Sequence, residues 1–200
     1  AYRLSGNPAC LASYDFAPEK QYFEPFLAIS NDVFVDGGGC KGETTLLFAN
    51  LYPDYHRIEI FEPDIANIRE AASLAETLPR TNFHALGLSD SPGTLYFDSG
   101  RGSASSVSAT GDVAISVDSL DNLVPDATFI KLDLEGWELP ALKGARKSLI
   151  NNKPKLAIGA YHSPLDFLEI SDWVIKTNPS YQLALRHYTE SWTESVLYCY

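Results

Sequence analysis

The sequence predicts an α/β domain in which a mostly parallel sheet carries helices on both faces. Three observations point to it. A buried strand runs into a glycine-rich turn and a helix at 33–50; strands and helices alternate along much of the remaining chain; and the last two strands lie too close in sequence for a parallel crossover.

The elements follow in order. Val33-Phe34-Val35 is a β-branched and aromatic run ending in Asp36 and three glycines, which reads as a buried strand entering a tight turn, with a helix over 43–50. Arg57-Ile58-Glu59-Ile60-Phe61 makes a second strand. Asp64 caps a helix whose Ile65, Ile68, Ala72 and Leu78 follow a helical stripe, completing one βαβ unit. A third strand is predicted from Asn82 to Leu88, then a turn at Asp90-Ser91-Pro92-Gly93 and a short strand Thr94–Phe97. Residues 98–112, rich in Ser, Gly and Ala, read as a loop because strand-like sequence resumes at Val113–Val117. Phe129–Leu132 and Lys155–Ala160 are strands separated by a helix that begins near Pro140. A helix at about 165–177 precedes Gln182–His187 and Ser195–Tyr200, an antiparallel closing hairpin. No repeat divides the chain. Residues 30–200 therefore read as one domain and 1–29 as a lead-in segment whose Tyr14, Phe16, Tyr22, Phe23 and Phe26 pack on it.

Composition narrows the class. The chain has 200 residues, 45% of them hydrophobic, enough to bury a core in one domain. Its formal net charge of -11 presents a repulsive average field to nucleic acid, so no such partner is expected. Cys10, Cys40 and Cys199 leave an odd thiol without C-x-x-C spacing, which suits a reducing compartment. No apolar run approaches the roughly 18 residues of a membrane span, and the first residues do not resemble a signal peptide. The expectation is a soluble, cytoplasmic protein without a membrane partner. The chain contains no methionine, which reads as a processed or trimmed piece of something longer.

Asp36-Gly37-Gly38-Gly39-Cys40-Lys41-Gly42 satisfies G-x-G-x-x-G after a strand and before a helix. Such glycines let the backbone approach a ligand and expose helix N-terminal amides, a geometry shared by dinucleotide enzymes and methyltransferases. A Walker loop is excluded because Lys41 is followed by Gly42 rather than Ser or Thr. Charge separates the other two. S-adenosylmethionine carries a sulfonium and an ammonium, whereas NAD places a pyrophosphate against the loop, and a carboxylate at Asp36 favours the cation. Glu62, 20 positions beyond Gly42 at the end of the second strand, can accept both ribose hydroxyls of either ligand.

Ile130-Lys131-Leu132-Asp133-Leu134-Glu135-Gly136-Trp137-Glu138, followed by Leu142-Lys143-Gly144-Ala145, resembles the signature of the FkbM family of methyltransferases. Val117-Asp118-Ser119-Leu120-Asp121-Asn122-Leu123 resembles that family's Thr-Leu-Asp-Asp segment. Leu185-Arg186-His187-Tyr188 with Glu194-Ser195-Val196-Leu197-Tyr198 resembles its C-terminal hairpin. The resemblance covers about residues 30–200. It implies a Rossmann-like methyltransferase fold with a seven-stranded sheet, six strands parallel and one antiparallel, and transfer of a methyl group from S-adenosylmethionine, usually to a hydroxyl oxygen. It also implies that Asp36, Gly37, Gly38, Gly39 and Gly42 hold the methionine moiety, Glu62 the ribose, and that Asp90 lies near the adenine. Asp133 and Glu135 would face the transferable methyl. The triple glycine followed by Cys40-Lys41 departs from the family's more usual Asp-x-Gly-Ala-Asn-x-Gly.

Asp133 and Glu135 lie two apart, so an extended strand end would point both into the crevice where open α/β sheets bind ligands. Alternatively, Glu135 or Glu138 sits in the first turn of the next helix, where negative charge is favourable. His162, after the fifth strand, can act as a base near neutral pH. The catalytic set is therefore Asp133 for positioning near the donor, with Glu135 or His162 accepting the hydroxyl proton. His187 with Tyr188 reads as packing or acceptor pocket, Trp137 as a wall, and Ser103, Ser105 and Ser106 as a solvated loop beside the pocket. Two carboxylates near one histidine suit a divalent cation, but no compact ligand motif demands one, so no metal is expected. The reading is O-methylation of a small-molecule or glycan hydroxyl. A non-catalytic domain that binds the donor stays open, as does an NAD-dependent oxidoreductase, against which Asp36 argues.

Overall fold

The structure is a computed structural model in which residues 20–74, 77–97, 107–108, 113–189 and 193–200 are described. The chain runs β1 (Val33–Gly37), α1 (Glu43–Leu51), β2 (Arg57–Phe61), α2 (Ile65–Ala72), β3 (Thr81–His84), β4 (Gly87–Leu88), β5 (Gly93–Phe97), β6 (Val107–Ser108), β7 (Val113–Asp118), α3 (Leu120–Leu123), β8 (Phe129–Leu132), α4 (Glu138–Lys143), α5 (Arg146–Asn151), β9 (Lys155–Gly159), α6 (Asp166–Thr177), β10 (Leu183–His187) and β11 (Ser195–Cys199).

Seven strands form one sheet in the order β10-β11-β9-β8-β1-β2-β3, with β11 antiparallel to both neighbours and the other six strands parallel. This is the predicted Rossmann-like architecture. The strand order reverses between β1 and β8, so the carboxyl ends of β1, β2, β8 and β9 open onto one crevice at a topological switch point.

Period-two alternation divides the core between the two faces. Val33 and Val35 join Ile130, Leu132, Leu142, Ile158 and Val174 in one cluster. Phe34 joins Phe48, Ile58, Phe129 and Tyr198 in the other, stacking on Phe48 with ring centroids 4.0 Å apart. The second cluster also takes in Tyr22, Phe23 and Leu27. Phe23 meets both Phe34 and Phe129 edge to face, and the Tyr22 backbone N–H donates to Tyr198 Oη at 2.9 Å. Tyr22 and Phe23 of the lead-in segment are thus built into the core, and Phe26 packs against it.

The stretch Asn82–Leu88 is not one strand. Thr81–His84 stays in the main sheet, while Gly87–Leu88 leaves it to pair with β7 in a separate four-stranded sheet of order β4-β7-β5-β6. Gly87 permits this close approach, since a Cβ there would stand 3.1 Å from methyl groups of Ile115 and Val117. Within the predicted loop 98–112, Val107 and Ser108 are strand residues paired with β5. The remainder of that loop, with Ser103, Ser105 and Ser106, lies outside the described residues, as do Tyr14 and Phe16. The helix expected near Pro140 begins two residues earlier, at Glu138, which leaves the proline in the first turn where its missing N–H costs no intrahelical bond. Among the described residues, no helix is long and apolar enough to cross a membrane.

Removing the Phe23 ring would open a cavity among Phe34, Phe48 and Phe129. Phe23→Ala is expected to lose about 3–5 kcal/mol of unfolding free energy in urea, the range for a buried phenylalanine. A loss below about 1 kcal/mol, typical of surface positions, would show that the segment is a loose appendage.

Candidate active site

The crevice is organised from below by a buried ion pair. Asp36, at the end of β1, is fully buried, and its Oδ1 lies 2.9 Å from Nζ of Lys131 on the adjacent β8. Thr45 Oγ1 donates to Asp36 Oδ2 at 2.6 Å. Lys131 Nζ also donates to the carbonyls of Gly37 and Gly38, at 3.1 and 2.9 Å. Burial works against the Lys131 charge, but Asp36 and Asp133 outweigh it and raise the lysine pKa above its ordinary value. The glycine loop therefore rests on a charged prop. Gly37 ends β1, and the N–H groups of Gly38 and Gly39 donate to Phe61 O at 2.9 and 3.1 Å. Gly42 closes the turn through its N–H to Gly39 O at 2.8 Å and precedes α1. Gly38 has φ +71°, and a Cβ there would stand 2.0 Å from the Asp133 carbonyl oxygen, so no other residue fits.

Above the loop lies a cleft that opens to solvent. Gly38, Phe61, Glu62 and Leu134 line one part; Leu88, Leu95, Ile115, Val117 and Trp137 form an apolar wall, to which the small sheet contributes β4, β5 and β7. Trp137 is held by its Nε1–H donating to Ser89 Oγ at 3.3 Å. Glu62 accepts the N–H of Cys40 at 3.0 Å and of Asp64 at 2.8 Å, which aims its carboxylate along the loop. Burial raises the Glu62 pKa, and those two N–H donors partly offset the rise. Three carboxylates, Glu62, Asp133 and Glu135, line the cleft, and among the described residues no Lys, Arg or His does.

A second pocket, lined by Ala160, Tyr161, His162, Ser163, Pro164, Phe167 and Ser195, adjoins the end of β9. Between the two openings sits a cluster of charge. Asp133 accepts Tyr22 Oη–H at 2.7 Å and Tyr161 Oη–H at 3.0 Å. His162 Nε2 lies 3.4 Å from Asp133 Oδ1 and 3.5 Å from Glu135 Oε2, and Nδ1 lies 3.1 Å from Glu138 Oε1. Burial disfavours the charged ring, but Glu138, Asp133 and Glu135 together push the His162 pKa up to about 9. Burial raises the Glu135 pKa; His162 opposes that rise, and Asp133 and Glu138 reinforce it. Burial and the Asp133 carboxylate also raise the pKa of both tyrosines.

The structure thus brings Asp133, Glu135 and His162 together, but not through strand alternation. β8 ends at Leu132, and Glu135 occupies a left-handed backbone conformation, φ +53°, followed by Gly136 at +93°. Glu138 stabilises this turn by accepting Leu134 N–H at 2.6 Å and Gly136 N–H at 3.3 Å. Glu138, rather than Glu135, occupies the first helical turn. Of the loop glycines, Gly38 lines the cleft. Asp36 faces Lys131 and Thr45 beneath the loop, and Asp90 is exposed after β4, outside the cleft lining. His187 is exposed, with Nδ1 at 2.9 Å from Ser195 Oγ. Lys131, Tyr22, Tyr161 and the apolar residues Leu95 and Ile115 were not picked out as site residues from the sequence. Lys131 alone carried a signal, as a lone lysine in an otherwise apolar buried strand.

The sequence model of the family described as Methyltransferase FkbM domain matches residues 36–188. The crystal structure of Methyltransferase FkbM from Methylobacillus flagellatus KT superposes with a TM-score of 0.82 at 28% identity, covering 100% of this chain and 52% of that one. The present chain therefore spans about half the length of that protein. An rRNA methylase from Streptococcus thermophilus matches with a TM-score of 0.55 at 15% identity, covering 88% of this chain and 90% of its own. Aeropyrum pernix fibrillarin, in complex with natively bound S-adenosyl-L-methionine, matches with a TM-score of 0.50 at 10% identity, covering 86% of this chain and 67% of its own. These two share the fold alone. No curated protein matches the sequence significantly. With most of the chain inside the family match and the strand order intact, this protein belongs to the FkbM methyltransferase family.

Proposed function

We propose that the chain is an S-adenosylmethionine-dependent methyltransferase that acts on a hydroxyl oxygen of a small molecule or glycan. The observation that carries this reading is the lining of the cleft: three carboxylates, an apolar wall and no cationic side chain among the described residues. A sulfonium and an ammonium are welcome there, and a pyrophosphate is not. Aeropyrum pernix fibrillarin, which shares the fold and is in complex with natively bound S-adenosyl-L-methionine, supports it.

When bound, S-adenosylmethionine supplies an electrophilic methyl carbon whose bond to sulfur breaks as a bond to the acceptor oxygen forms, leaving S-adenosylhomocysteine. Glu62 is placed to accept the ribose hydroxyls, and Leu88, Leu95, Ile115, Val117 and Trp137 to cover the adenine. The loop at Gly38 meets the methionine end. Asp133, fixed by Tyr22 and Tyr161, stands where the two pockets meet. The hydroxyl proton goes to Glu135. Its carboxylate is half-exposed and faces the cleft, whereas the His162 ring is enclosed by carboxylates. Bringing acceptor and methyl into line supplies part of the rate, and proton acceptance by Glu135 the rest.

Calorimetry tests the donor first. S-adenosylmethionine and S-adenosylhomocysteine are expected to bind and NAD not; NAD binding more tightly would overturn the reading. Glu62→Ala should lose about 1.5–3 kcal/mol of donor affinity, the range for hydrogen bonds to a charged group, and unchanged affinity would remove Glu62 from the site. Transfer of labelled methyl to a panel of polyhydroxylated acceptors tests the chemistry. Glu135→Gln should lower turnover by about 10²- to 10⁴-fold while donor affinity stays nearly constant. Equal losses in both would make Glu135 a donor contact instead.

A further inference from the structure

The charge cluster between the two pockets contains more negative charge than its own cation can balance. Asp133, Glu135 and Glu138 surround a single imidazole whose side chain is only 10% exposed, so even a protonated ring leaves an excess of two negative charges. Of these groups Glu138 is buried and His162 and Asp133 are partly so, and charge withdrawn from water is costly without a counter-ion. Neither ring nitrogen of His162 is in hydrogen-bond geometry with any partner, despite three carboxylates within 3.1–3.5 Å. The separations of 3.4 and 3.5 Å from Nε2 exceed an ordinary hydrogen bond. The 3.4 Å to Asp133 suits instead neighbouring ligands around a cation, which stand about 3.0–3.4 Å apart when each bond is about 2.1 Å.

We propose that Asp133, Glu138 and His162 form a binding site for a divalent transition-metal cation, placed between the donor cleft and the second pocket. One ligand atom from each of the three lies within 4.8 Å of the others. The supporting contacts are those of metal ligands. Asp133 is fixed by the hydroxyls of Tyr22 and Tyr161, and Glu138 by the N–H groups of Leu134 and Gly136. One imidazole with two carboxylates favours Mn²⁺ or Zn²⁺ over Mg²⁺ or Ca²⁺, which prefer all-oxygen sets. Glu135, half-exposed, stays outside the ligand set. On the hydroxyl-transfer reading, an acceptor oxygen on this cation would acidify and give its proton to Glu135.

The experiment uses the whole chain after EDTA treatment and dialysis, titrated calorimetrically with MnCl₂ and ZnCl₂, with the Mn²⁺ resonance followed by electron paramagnetic resonance. One equivalent of Mn²⁺ or Zn²⁺ is expected to bind. Glu138→Gln, which keeps the acceptor for the turn, and His162→Ala should each weaken that binding by about tenfold or more. No binding up to millimolar cation, or affinity unchanged in either variant, overturns the proposal. S-adenosylhomocysteine affinity, measured in EDTA on the same proteins, separates the two claims: if it persists without cation binding, the cation site falls and the methyl-transfer reading does not.

Discussion

The ion pair between Asp36 and Lys131 is the contact on which the rest of the crevice depends. It ties the carboxyl ends of β1 and β8 together at the point where the strand order reverses, with both side chains out of solvent. Pairs buried this deeply contribute little net stability over an apolar substitute, but loss of one partner strands a charge in the interior. What the pair provides is shape. Lys131 also fixes the Gly37 and Gly38 carbonyls, and Gly37 O accepts the Asp133 N–H at 3.1 Å, so loop and β8 terminus are set by the same ammonium.

From that prop the chemistry spreads outward in layers. The loop forms the floor of the donor cleft, the small sheet its apolar wall, and the left-handed turn at Glu135 its rim toward the second pocket. Strain at a non-glycine left-handed residue costs of order 1–3 kcal/mol and persists where neighbouring contacts over-determine it, as Glu138 does here. The lead-in segment joins this network as well, because Tyr22 reaches from the aromatic core to the Asp133 carboxylate.

Much of this was legible in the sequence, and the limits are physical. Val33-Phe34-Val35 and Arg57–Phe61 announced the sheet because β-branched and aromatic runs beside glycine turns have few alternatives. Asp64 announced its helix because a carboxylate before an apolar stripe caps the first free amides, and its Oδ1 does accept from Ala66 and Asn67. Asp36 does not itself line the cleft. Local sequence cannot show that Lys131, distant along the chain, neutralises it, and the carboxylates facing the cleft are Glu62, Asp133 and Glu135. The break after His84 was equally hidden, since 81–88 reads as continuous strand until β7 competes for Gly87 and Leu88. Glu138 illustrates the same limit: its helical position was readable, but its meeting with His162 depends on how β8 and β9 end side by side.

The central claim is that the Asp36–Lys131 pair shapes the donor cleft, and a double-mutant cycle tests it most directly. S-adenosylhomocysteine affinity would be measured by calorimetry on the unmodified protein, Asp36→Asn, Lys131→Met and the pair of changes combined. Each single change should weaken binding by about tenfold or more, because a stranded buried charge distorts the loop, and the combined change should cost no more than either alone. Single variants that bind like the unmodified protein, or losses that simply add, would contradict the account.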